Sequence, residues 1–196
     1  MLTEQVGSLW NHDTPGSVIV VPTNVGWTRY RNAIMGAGVA RGAALRYPGI
    51  VRAYGVFCKE TAYEPTPVAF YRGSNDSVLC LAPTKALDPQ NPQLSWKHKS
   101  TIDLVEQTLY QIKWACSTGE ARWITNDRPS RPLISRKVYL PLLGAGNGGL
   151  DKDLIRASLE RILGKIRTSY VLLKMPQEEV SDGRHSSGVR PVSPAS

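Results

Sequence analysis

A chain of 196 residues and 21.6 kDa has the length of one globular domain, or of one domain with a tail. With 41% hydrophobic and 20% charged residues it carries enough apolar material for a core, which excludes global disorder; no apolar run approaches the roughly 18 residues of a membrane span. The formal charge of +8, from 24 Lys+Arg against 16 Asp+Glu, attracts anionic partners such as nucleic acid or a nucleotide, although solubility alone accounts for basicity equally well.

The opening Met1-Leu2-Thr3-Glu4-Gln5 has neither the basic start nor the apolar stretch of an export signal. Cys58, Cys80 and Cys116 are odd in number and widely spaced. Together these predict a cytoplasmic protein with reduced, mostly core thiols and no membrane partner.

The first element is the run Ser17-Val18-Ile19-Val20-Val21, a strand buried on both faces and ended by Pro22. Residues 38–47 predict a helix stopped by Pro48-Gly49, and 50–60 a second short one. Residues 68–71 and 78–82 read as strands joined through Gly73-Ser74-Asn75-Asp76. Residues 86–99, with Pro89, Pro92 and Trp96, form a loop long enough to suspect function, as do 117–136. Between them, 100–116 predict an amphipathic helix with Ser100-Thr101 as its cap. A buried strand at 138–143, an amphipathic helix at 151–166 and a strand at 170–173 follow. This alternation predicts a three-layer α/β domain with a mainly parallel or mixed sheet over residues 1–175. Residues 176–196, rich in Ser, Gly, Pro and Glu, read as a disordered tail.

Two glycine-rich connections carry the chemistry. Leu143-Gly144-Ala145-Gly146-Asn147-Gly148-Gly149 leads from a strand into a helix, where glycine lets backbone N–H groups approach a phosphate. Gly144, Gly146 and Gly149 satisfy a G-x-G-x-x-G spacing, which a ligand-free turn satisfies as well. A dinucleotide site would need an acidic residue about twenty positions on, and residues 165–174 contain none. Met35-Gly36-Ala37-Gly38-Val39 repeats the arrangement earlier in the chain. Two such loops at carboxyl ends of strands predict opposite walls of one phosphate cleft. Arg29, Arg31, Arg41, Arg46 and Arg52, interleaved with Trp27, Tyr30 and Tyr47, suit phosphate contact and base stacking. His12, His98 and His185 are scattered, and no metal spacing or Ser-His-Asp set is readable, so no metal or cofactor is expected. Trp10, Trp96, Trp114 and Trp123 read as core or rim packing.

Over roughly residues 5 to 175 the sequence resembles the macrodomain family of ADP-ribose binders, which implies a three-layer α/β/α fold with a mixed central sheet. The resemblance rests on Gly7-Ser8-Leu9-Trp10 followed by a strand reaching Asn24, on the loop 35–39, and on 143–151, which is similar to the family's L-G-x-G-x-G-G-L-D. It implies ligand contacts from Ser8, Leu9, Asn24, Asn32 and both loops. Leu81-Ala82-Pro83-Thr84-Lys85 is similar to the Pro-Thr-Lys of the branch containing terminal ADP-ribose glycohydrolases and DNA ADP-ribosylation antitoxins. That similarity implies a catalytic Lys85 at the distal ribose, with Asn24 beside it; a snorkelling surface lysine is the other reading. Ser8 stands where the family has an Asp for the adenine amino group, and the insert Gly26-Trp27-Thr28-Arg29-Tyr30-Arg31 expands the first loop. Asn147-Gly148 replaces the second-loop aspartate of protein-deADP-ribosylating relatives. Asn32 fits a turn residue slightly better than a ribose contact, and Asp151 fits a helix cap better than a base.

The implied activity is hydrolysis of an ADP-ribosyl linkage on nucleic acid or protein. Two alternatives stand beside it: a phosphatase acting on ADP-ribose 1″-phosphate or processing a related nucleotide signal, and a module that only captures ADP-ribose or a similar nucleotide.

Overall fold

The computed structural model describes residues 2–62, 64, 67–164 and 168–174. Its strands are β1 (Leu2–Val6), β2 (Ser17–Asn24), β3 (Ala69–Arg72), β4 (Val78–Lys85), β5 (Lys137–Leu140) and β6 (Tyr170–Lys174). They form one sheet in the order β1-β6-β5-β2-β4-β3, parallel throughout except for the antiparallel β3–β4 hairpin.

The helices α1 (Gly38–Arg46) and α2 (Pro48–Glu60) cover one face; α3 (Ile102–Thr118) and α4 (Lys152–Leu163) cover the other. The alternation of side chains along β2 makes both layers. Val18 and Val20 pack with Val105, Leu109, Ile112 and Leu159, while Ile19 and Val21 pack with Ala43, Ile50 and Tyr54. The three-layer α/β/α architecture with a mixed sheet is therefore as the sequence predicts. Cys58, Cys80 and Cys116 are free and buried in these two cores.

Two local expectations are corrected, and one strand is added. Pro22 does not end β2, which continues to Asn24 against β4; the ladder to β5 covers only residues 17–19, so one flank is already open where the proline sits. Strand β1 carried no signal, because Thr3, Glu4 and Gln5 are exposed on a sheet edge that pairs with β6 alone. Strand β5 stops at Leu140 rather than 143, and the glycine connection starts at Pro141.

Caps form where the sequence offers them: Thr101 Oγ1 accepts from Leu104 N at 3.4 Å. Asp151 Oδ1 accepts from Asp153 N and Leu154 N, both at 2.9 Å, so the cap reading of Asp151 holds. The end of the predicted helix at 165–166 and the tail 176–196 lie outside the described residues. Among the described residues no helix is long and apolar enough to cross a membrane, and no group of three or more His, Cys, Asp or Glu is placed to hold a metal.

Candidate functional site

Parallel strands present their carboxyl ends, and the loops that follow them, at one edge of the sheet. Here that edge holds a cleft of about 1540 Å³, running from the ends of β1 and β6 to the ends of β2 and β4. Gly36, Ala37, Gly38 and Val39 from the connection after β2 line it, and so do Gly144, Ala145, Gly146, Asn147 and Gly148 from the connection after β5. The two glycine loops thus share one crevice.

Both loops present unused backbone donors. Helix α1 begins without a side-chain cap, so the N–H groups of Gly38, Val39 and Ala40 have no intrahelical acceptor. In the second loop Ala145, Gly149 and Leu150 donate to Leu142 O (3.3 Å), Gly146 O (3.0 Å) and Gly144 O (3.1 Å). Among the described residues the amides of Gly146, Asn147 and Gly148 donate to no protein acceptor. The helix that follows this loop turns the Asp153 and Leu154 amides of its first turn to its own cap, Asp151.

Glycine is required at two points of this loop. Gly144 has φ +77°, and a Cβ there would stand 2.9 Å from Leu150 Cδ1 and 3.1 Å from Ser100 Cβ. A Cβ on Gly148 would meet Ser100 Oγ at 2.2 Å and Gly144 O at 2.3 Å. Ser100 lies beneath the loop, its N–H donating to Gly148 O at 3.1 Å and its buried hydroxyl without a partner among the described residues.

At the β2/β4 end, Asn24 and Lys85 are register partners across the strand pair, next to a bulge at Thr23/Asn24. Bulges re-aim side chains, and both residues line the cleft. Asn24 Nδ2 donates to Ile34 O (2.9 Å) and its Oδ1 accepts from Gly26 N (2.8 Å), clipping the two ends of the first loop together. Lys85 Nζ donates to Trp96 O at 2.7 Å, a carbonyl of the 3-10 turn Pro92–Lys97 inside the long loop. Partial burial lowers the lysine's pKa from its ordinary value, because it disfavours the ammonium form. Beneath them the Thr23 and Tyr54 hydroxyls share a hydrogen bond of 2.8 Å, and Thr84 Oγ1 donates to Thr23 O at 3.3 Å.

At the other end stand Val6, Leu173, Lys152, Arg156 and Lys174. Glu4 pairs with Arg156 (2.8 Å) and with Lys174, and Asp153 pairs with Arg156 (3.2 Å). The lining holds five cations, these three with Lys85 and Lys97, and no carboxylate. Such a surface favours an anion, and Lys85 is its titratable group at the strand-pair end.

Several residues singled out in the sequence fall outside the lining. Leu9, Met35 and Leu143 are buried in the two cores. Ser8 Oγ accepts from Trp10 N at 3.4 Å, capping the short turn Leu9–His12. Asn32 sits on the outer arm of the first loop, its C=O accepting from Thr28 N at 2.8 Å, which is the turn role. Gly149 (φ +75°) is an exposed turn glycine whose N–H is spent on Gly146 O. The sequence reading missed Trp96 as a wall, together with Lys97, Lys152, Arg156 and Lys174. Lys152 and Arg156 are four apart on a predicted helix and so share a face, a signal that was available.

No protein-family model and no curated protein matches the chain. Solved structures do. The chain is similar to the macrodomain of Mycobacterium tuberculosis DarG, with TM-score 0.65 and 22% identity over 88% of this chain and 97% of that one. It is similar to the macrodomain of Thermus aquaticus DarG, with TM-score 0.64 and 23% identity over 90% of this chain and 99% of that one. Thermosipho africanus DarTG, solved in complex with ADP-ribose, matches with TM-score 0.63 and 20% identity over 91% of this chain and 42% of that longer one. The six-stranded mixed sheet between two helical layers, with paired glycine loops at its carboxyl edge, is the macrodomain fold.

Proposed function

We propose that the protein binds ADP-ribose in this cleft and hydrolyses an ADP-ribosyl linkage at the Lys85 end. The observation that carries the reading is the pair of glycine loops offering free amides to one crevice, with Lys85 and Asn24 side by side at its end. A pyrophosphate fits such a double cradle, since fixed N–H dipoles stabilise its charge without reorganising. The Thermosipho africanus DarTG complex, on the same fold, holds ADP-ribose. The adenosine half then lies toward Val6 and Leu173 and the distal ribose toward Lys85 and Asn24. Ser8 lies outside the cleft lining, with its Oγ accepting from Trp10 N, so this reading gives it no part in adenine selection.

The chemistry follows from the lysine. As the neutral amine, Lys85 attacks the anomeric carbon while the bond from that carbon to the acceptor breaks. The proton lost from the new ammonium goes to the leaving atom. Water then displaces the amine, releasing free ADP-ribose and the unmodified acceptor and restoring Lys85. Burial of pyrophosphate and adenosine supplies binding energy remote from the reacting carbon, which holds that carbon in place.

Replacing Lys85 by Ala tests this. Release of ADP-ribose from modified DNA or protein is expected to fall by roughly a hundredfold or more while calorimetric affinity for ADP-ribose stays within about threefold. Retained turnover in Lys85→Ala overturns the lysine mechanism. Absence of turnover in the unmutated protein with binding intact leaves a capture module. Phosphate release from ADP-ribose 1″-phosphate that survives Lys85→Ala identifies the phosphatase instead.

A further inference from the structure

A second, smaller depression of about 250 Å³ adjoins the Lys85 end of the cleft. Two segments of the chain contribute to both, with different residues. The 3-10 turn that supplies Trp96 and Lys97 to the cleft supplies Pro92 and Gln93 to the depression, and the arm after Asn24 supplies its Trp27, Arg29 and Arg31. Lys59 of α2 completes the cationic side. Neither Asp nor Glu lines it, and among the described residues none of the three cations makes an ion pair. Arg29 lies over the Tyr30 ring, 4.6 Å from its centroid, and donates to the Tyr30 hydroxyl, but no described carboxylate neutralises any of the three, and an anion would offset their mutual repulsion.

The wall is held in shape by the fold. Ala33 N donates to Val51 O at 2.8 Å, Arg31 N to Thr28 O at 2.8 Å, and the Arg52 guanidinium reaches the Tyr30 carbonyl. Helix α2 admits this arm through Gly55, where a Cβ would lie 2.2 Å from Arg31 O and 2.4 Å from Ala33 N. Arg31 itself sits at φ +58°, a left-handed conformation that a non-glycine residue keeps only where its surroundings over-determine it. On the facing wall Asn91 and Gln93 add neutral amide donors, and the Trp27 ring gives a flat surface.

We propose that this depression is an anion subsite that takes a phosphate group through Arg29, Arg31 and Lys59. The shared chemistry is a phosphate oxygen, from a nucleic-acid phosphodiester or from free inorganic phosphate. Under the hydrolase reading, whatever is joined to the distal ribose leaves the cleft beside Lys85 and meets this depression next. That attribution rests on the proposed function; the subsite itself stands on its own lining.

The test uses the full chain, isotope-labelled, with three separate probes: inorganic phosphate, a 5′-phosphorylated short single-stranded oligothymidylate, and ADP-ribose. The readout is the Trp27 indole N–H resonance, with anisotropy for the labelled oligonucleotide. A saturable Trp27 shift is expected with a phosphate probe, and it persists when ADP-ribose is in excess. Binding weakens by about tenfold in Arg29→Gln/Lys59→Gln, given the strength of charge-assisted contacts to phosphate. The slope of log affinity against log salt for the oligonucleotide falls by about 1.4 when two phosphate contacts are removed. Lys59→Gln alone, an exposed position on α2, weakens binding less and keeps the test open if the double variant misfolds. Tighter binding of the oligonucleotide identifies a strand as the source, and response to inorganic phosphate alone identifies a free anion. No Trp27 shift with either, or equal affinity in the variants, overturns the subsite. A Trp27 response to phosphate with no ADP-ribose binding anywhere would instead sink the hydrolase reading and leave the subsite standing.

Discussion

Lys85 is tuned by its position: half-buried at a strand end, with its ammonium donating to the Trp96 carbonyl and facing no carboxylate in the cleft lining. Burial pulls its pKa down from the ordinary lysine value of 10.5, so the neutral amine becomes accessible at lower pH than for a free lysine. In the proposed mechanism the neutral form is the nucleophile, so kcat/KM should rise with pH along a single-proton limb and level off below the ordinary lysine value. A pH–rate profile flat between 6 and 9 would contradict that role. Gly148 offers a second test. Its substitution by Ala forces a Cβ against Ser100 Oγ and Gly144 O. The loop must shift, so ADP-ribose affinity should drop at least about tenfold, alongside about 1–3 kcal/mol of overpacking cost seen in a melt. Gly146→Ala, where a Cβ meets nothing within 4 Å, is the matched control and should fold as the unmutated chain does.

Among the elements, the two helices that follow the glycine loops differ in a way that matters for binding. Helix α1 is left uncapped toward the cleft, whereas α4 spends its first amides on Asp151. Under the proposed function the first helix therefore offers uncapped first-turn amides to the anion, whereas α4 turns two of its own to Asp151. Asp151→Ala should cost about 1 kcal/mol in a denaturant melt while leaving ADP-ribose affinity within about twofold, because it removes a cap and not a ligand contact. A large loss of affinity without loss of stability would show that Asp151 reaches the ligand. The 3-10 turn Pro92–Lys97 serves as a shared partition, one side carrying Trp96 to the cleft and the other Gln93 to the basic depression. Gly26 lets the first loop approach it, since a Cβ there would stand 2.2 Å from Pro92 O.

For the molecule as a whole, the edge of the sheet opposite the cleft is closed by a polar clamp. The Arg136 side chain is wholly buried and donates to Asp76 O (2.7 Å), Arg131 O (3.1 Å) and the Asp76 carboxylate (3.2 Å). Ser130 donates to Asp76 through both its hydroxyl and its amide, and these bonds, with Arg72 and Arg136, hold the Asp76 carboxyl well below the usual carboxylate range. A carboxylate with a depressed folded pKa adds stability above its unfolded value of about 3.9, and loses it as pH falls below that value. Melts between pH 5 and 2 should therefore show a steep acid limb that flattens in Asp76→Asn, although that variant is less stable at neutral pH. Arg136→Met should cost at least about 2 kcal/mol, since it strips partners from buried carbonyls and from Asp76. ADP-ribose affinity per folded molecule should not change, because the clamp is at the far edge. An affinity loss without destabilisation would contradict this division of labour.

What the sequence determined by itself is the set of elements whose signals are local. The β-branched run of β2, the helix stop at Pro48, the caps at Thr101 and Asp151, and the glycine connections were all legible, because each depends on neighbours within a few residues. Their alternation fixed the three layers, and the two loops were read as walls of one cleft. Edge strand β1 was not legible, since its exposed polar residues carry no burial pattern and it exists only through pairing with β6. The motif names Ser8, Leu9, Met35 and Leu143 as positions, while packing decides where each side chain goes: three into the cores and Ser8 onto its own turn, all outside the cleft lining. Tertiary structure alone brought Asn24 opposite Lys85 across the β2/β4 bulge, laid the Trp96 carbonyl against the lysine, and gathered Arg29, Arg31 and Lys59 round one depression. Each depends on how separate segments meet, which local pattern does not encode; strand register and the close approach at Gly26 and Gly55 create them.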